Sequence, residues 1–122
     1  MPGSLKVVTV RPGGEDWARR SPAGEEVAQV EFVLSAPPSA RWQRHCHRVL
    51  FGGDGETGGR AALEFKMYLR GSSLTSALVP LARLRELAEA VHGLVERIND
   101  LCETDEGVVT SAQQVVDELR SR

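Results

Sequence analysis

Between Leu84 and Cys102 apolar residues return at steps of three and four, and no other segment restricts the fold as much. Leu84, Val91 and Ile98 share one heptad position, Leu87, Leu94 and Leu101 a second, and Ala88, Val95 and Cys102 a third beside them. Three positions in seven give a stripe about 100° wide, the width of a helix lying on a globular core, where a two-stranded seam needs only two. A chain with such a helix must also supply a surface for it to lie on. The helix is expected to begin near Leu78 to Leu81, with Pro80 tolerated only in the first turn. From there to Cys102 it spans about 36 Å at 1.5 Å per residue. Gly93 falls on its polar side at a cost of about 1 kcal/mol against alanine. Thr104-Asp105-Glu106-Gly107 then reads as a break, and Thr110-Ser111-Ala112-Gln113 as a capping box for a final helix bearing Ala112, Val115, Val116 and Leu119 on one face. So short a helix does not persist undocked. It is expected on the sheet, on the long helix or on a second subunit.

The surface is expected to be a sheet. Leu5 to Val10 is rich in β-branched residues and ends at Arg11-Pro12-Gly13-Gly14, a strand and a turn. A loop to about Gly24 follows, with Trp17 as a lid over one edge of the core. Glu26 to Leu34 alternates, with Ala28, Val30, Phe32 and Leu34 on one side. Ala62 to Arg70 alternates more cleanly, Leu63, Phe65, Met67 and Leu69 facing one way and Glu64, Lys66, Tyr68 and Arg70 the other. Half-wet strands of this kind belong to antiparallel sheets. Between them Ser39 can cap a short helix from Ala40 to Leu50, with Trp42, Cys46, Val49 and Leu50 on one face. The alternative ends that helix near Gln43 and makes His45 to Phe51 a strand, paired to Ala61 to Arg70 across the glycine-rich run Gly52 to Gly59. The expected fold is α+β in one domain over residues 1–122. A three- to four-stranded antiparallel sheet carries one long amphipathic helix and one or two shorter helices on one face.

Size and composition bound the function. The chain has 122 residues, 41% of them apolar and 26% charged, the profile of a soluble globular protein. No run approaches the ~18 apolar residues of a membrane helix, and Met1 to Lys6 lacks the pattern of an export signal. A cytoplasmic setting without a membrane partner is the expectation, and Cys46 and Cys102 then read as buried free thiols. Charge is uneven. Residues 1–85 hold twelve basic side chains against eight acidic, and residues 86–122 hold three against nine.

Chemistry-bearing patterns are sparse. His45-Cys46-His47 offers metal-ligand types, but consecutive helical side chains diverge by about 100°, and only a strand would bring the two histidines to one face. In a helix, Arg41, Arg44, His45 and Arg48 line the side opposite Trp42, a short basic face for phosphates, acidic protein or nucleic acid. The glycine-rich run lacks the Gly-Lys-Ser/Thr of a phosphate loop, and Gly-x-Ser-x-Gly is missing. No catalytic residue, metal site or cofactor is assigned. Candidate binding residues are Arg41, Trp42, Arg44, His45, His47, Arg48, Tyr68 and Arg70, the last two because tyrosine and arginine favour binding hot spots. The leading expectation is a non-enzymatic protein–protein interaction or oligomerisation module, a homo-oligomer or the partner of another protein. A ligand- or metal-binding pocket near the Trp42 helix is the first alternative, built from Arg41, Arg44, His45 and His47. Nucleic-acid binding through the basic face is the second and less favoured one.

Overall fold

The computed structural model describes residues 4–51 and 65–121. It is α+β, with antiparallel strands throughout, but the strands form two sheets where one was expected. The larger sheet has the order β1-β4-β6-β5, from β1 (Val7–Pro12), β4 (Val30–Leu34), β6 (Ser73–Thr75) and β5 (Tyr68–Arg70). The smaller runs β2-β3-β7, from β2 (Ala18–Arg20), β3 (Glu26–Ala28) and β7 (Val79–Pro80).

The division falls at Gln29, inside the stretch whose alternation reads as one strand. Its N–H donates to the Trp17 carbonyl at 2.6 Å, its carbonyl accepts from Gly13 N–H at 2.9 Å, and its side chain donates to the Ser76 carbonyl at 2.7 Å. Residues on either side of Gln29 therefore pair with different strands. A Cβ on Gly13 would lie 2.9 Å from the Gln29 carbonyl oxygen, so only glycine permits this approach. Trp17 keeps 38% of its surface exposed.

Of the strand expected over 62–70, residues 62–64 lie outside the described residues, and within 65–70 the strand is β5 alone. Lys66 has φ 52°, a left-handed conformation that interrupts any strand. Phe65 and Met67 are nonetheless buried and Leu69 half-buried, as the alternation requires, while Leu63 and Glu64 lie outside the described residues. β6 buries all three of its residues, and β7 occupies Val79 and Pro80, where the long helix was expected to begin; the helix instead starts at Leu84 after a 3₁₀ turn.

The helix α1 (Ala40–Phe51) forms as expected and excludes the hairpin alternative. Ser39 Oγ accepts the Trp42 N–H at 3.1 Å, satisfying one of the orphan donors of the first turn. A 3₁₀ turn over Leu81–Arg83 leads into α2 (Leu84–Arg120), which continues for 37 residues, about 55 Å. The expected break and separate final helix do not exist. Thr104 and Thr110 donate their hydroxyls to the carbonyls of Asp100 and Glu106, at 3.0 and 3.1 Å. A threonine bonded back to residue i−4 sits inside a helix, and Thr110 is therefore not free to cap a new one.

Core residues come from both helices, from the larger sheet and, through Val79, from the smaller one. Phe32, Leu34 and Leu74 meet Trp42, Cys46, Val49 and Leu50 of α1 and Leu87, Val91, Leu94, Val95 and Ile98 of α2. The α2 stripe is thus buried over its first four turns, as its width implies.

Candidate functional site

The residues singled out on α1 do not converge. Trp42 is fully buried and His45 is 6% exposed, whereas His47 projects outward and packs its ring on Phe51 at 4.9 Å between centroids. Arg44 and Arg48 are exposed and Arg41 is half-buried, so α1 does carry a short basic strip. Among the described residues no group of three or more His, Cys, Asp or Glu side chains could hold a metal ion. Cys46 and Cys102 are free, the first buried and the second half-buried, and burial pushes the Cys46 thiol up to about 12. A thiol held protonated in this way is a packing group and not a nucleophile. Tyr68 and Arg70 are the exposed positions of β5, and Tyr68 borders α1 through a cavity that it shares with His47.

Two polar links fasten α1 to α2, and the sequence singled out neither acceptor. Asn99 Oδ1 accepts the Leu5 N–H at 3.0 Å and the Trp42 Nε1–H at 2.9 Å, while Asn99 Nδ2 donates to the Leu5 carbonyl at 2.7 Å. One amide thus ties the N-terminal segment, α1 and α2 together. Asp105 Oδ2 lies 2.5 Å from His45 Nε2. That hydrogen bond holds the Asp105 carboxyl below the usual aspartate value, with the charges of Arg41 and Arg44 adding to the effect. Asp105 falls on the heptad position of Leu84, Val91 and Ile98, so a carboxylate occupies the stripe where α1 ends its cover.

Beyond that point the helix projects. From Glu106 to Arg120 every residue is exposed, about 22 Å of helix at 1.5 Å per residue. The heptad phase nevertheless continues: Ala112 and Leu119 follow Ile98, Val108 and Val115 follow Leu101, and Val109 and Val116 follow Cys102. Val108, Val109, Val115, Val116 and Leu119 are between 38% and 63% exposed. No family model, curated protein or solved structure matches the chain. The sequence marked Val115, Val116 and Leu119 as an apolar face, but treating Gly107 as a break detached Val108 and Val109 from it. The heptad count through residue 105 was the available signal.

Between α1 and β5 a cavity of about 250 Å³ is lined by Gln43, Cys46, His47, Leu50 and Phe51 of α1 and by Tyr68 and Leu69 of β5. No described helix is long and apolar enough to cross a membrane.

Proposed function

We propose that the protein is a small non-enzymatic interaction module that assembles with a second copy of itself through residues 108–119 of α2. The carrying observation is an exposed apolar row in unbroken phase with the buried one. Burying a large aliphatic side chain is worth about 1.5–3 kcal/mol, and a helical extension of this length is marginal in water without tertiary packing. A partner therefore both hides the row and holds the helix. A second copy fits because the positions flanking the row, Thr104, Ser111 and Glu118, set no run of like charges against themselves. Sedimentation equilibrium over a range of concentrations tests the reading. The mass should rise toward twice that of the chain, and Val115→Asp should return it to the monomer without lowering the melting temperature of the core. A strict monomer at high concentration removes the proposal.

The α1–β5 cavity supports a second reading, a ligand site using His47 and Tyr68. Its volume falls just below the usual range for small-molecule pockets, about 300–1,000 Å³. Thermal-shift screening with metabolites and elemental analysis of the purified protein test it, and no stabilising ligand together with no bound metal would leave it without support.

A further inference from the structure

Resting on the self-association proposed above, we infer that the two copies pair antiparallel, as a two-stranded seam in which Leu119 of each chain meets the partner's Val108. Two independent observations point this way.

The first is steric. The stripe that would form the seam is the one the chain's own core covers as far as Ile98, with Leu101, Cys102 and Asp105 half-buried beneath α1 and its surroundings. Paired helices lie about 8–10 Å apart. In a parallel pair the two cores would have to occupy the seam at the same level, directly beside Val108, and would force the helices apart there. Antiparallel pairing sets the cores at opposite ends, with only the projecting segments overlapping. A two-fold axis then passes between Ala112 and Val115, and the interface is isologous.

The second is the pattern of side positions. Val109 and Val116 flank the core row on one side, and Thr104, Ser111 and Glu118 flank it on the other. A parallel pair brings unlike flanks together, so Val109 would face the partner's Thr104 and Val116 the partner's Ser111. An antiparallel pair brings like flanks together. Val109 then meets the partner's Val116, and Ser111 meets the partner's Glu118. In this register Leu119 opposes the partner's Val108 and Ala112 opposes the partner's Val115, so all five exposed apolar side chains are covered. None of these layers uses a residue that the core has already buried. The seam is only about 18 Å long at 1.5 Å per residue, and the association is accordingly reversible and concentration-dependent.

Cysteine cross-linking of the full chain decides the orientation. In a Cys102→Ser background, Val108→Cys and Leu119→Cys are prepared singly, mixed at a concentration where the unmodified chain is dimeric, and oxidised. Antiparallel pairing predicts that the mixture forms a disulfide-linked dimer joining the two variants and that neither variant alone does so to a comparable extent. Self-linking of Val108→Cys alone, at least as efficient as in the mixture, shows a parallel pair and overturns the inference while leaving self-association intact. A mass above that of a dimer overturns the two-stranded seam. A chain that stays monomeric overturns the underlying self-association, a result visible before any oxidation. A dimer unaffected by Val115→Asp places the contact elsewhere and overturns both.

Discussion

Asn99 shows how much one polar side chain carries in this fold. Its amide satisfies both backbone groups of Leu5 and the indole N–H of the fully buried Trp42. Asn99→Leu keeps the branched outline of the side chain and removes all three partners, so the expected loss is about 3 kcal/mol, each buried unsatisfied group costing about 1–3. Urea unfolding of the variant measures it, and a change below 1 kcal/mol would mean water replaces the amide. Asp105 makes a pH-dependent contribution. Its carboxyl is held below its ordinary value, so the folded chain binds this proton less tightly than the unfolded chain does. The stabilisation is complete above the unfolded value, about pH 3.9, and is lost as the pH falls through the folded one. Asp105→Asn should therefore lower the melting temperature at neutral pH and have little effect once the wild-type carboxyl is protonated. Equal effects at both pH values would show that its charge does not fasten α1 to α2. Neither residue stood out in the sequence, because a lone Asn or Asp on a helix reads as a solvated polar position until its distant partners are known.

At the scale of elements, α1 was the most legible. Ser39 and the Trp42-Cys46-Val49-Leu50 spacing pointed to a helix from Ala40 to Leu50, with a strand over His45 to Phe51 as the alternative; the helix forms, and Ser39 does cap it. Its basic strip was legible in Arg41, Arg44 and Arg48, but His45, which the helical spacing set on the same face, is buried. α2 was misjudged at a single point. Gly107 and the threonines near it carry turn and cap chemistry, yet one glycine costs a helix only about 1 kcal/mol, and propagation from existing turns is far easier than nucleation. A Cβ at Gly107 would touch nothing within 4 Å. Gly107→Ala should then raise the helical circular-dichroism signal and leave the core's melting temperature nearly unchanged, because the projecting segment frays locally. Gly107→Pro should do the opposite, removing helical signal from the residues around and beyond position 107 while the core still folds. A fall in the core's stability with Gly107→Pro would show that the extension is coupled to it. The strands were legible as apolar alternation and not as pairings: 26–34 alternates without interruption, but its backbone groups at Gln29 address two sheets.

For the whole molecule, one core and one projecting helix predict two separable responses to dilution. As copies dissociate, helical signal from the 106–120 segment should fall while the near-ultraviolet signal of the buried Trp42 stays constant. Loss of both together would mean that the core itself depends on assembly. The sequence alone determined the secondary-structure periods, the position of α1, the amphipathic face of α2 and its charge asymmetry, because these are properties of neighbouring residues. Only the tertiary structure decided how the strands divide into two sheets, which polar side chains clamp the helices, and where along α2 the apolar stripe passes from buried to exposed. Each of those depends on what a distant segment places against a given residue, and the heptad pattern is the same on both sides of Asp105 although its cover is not.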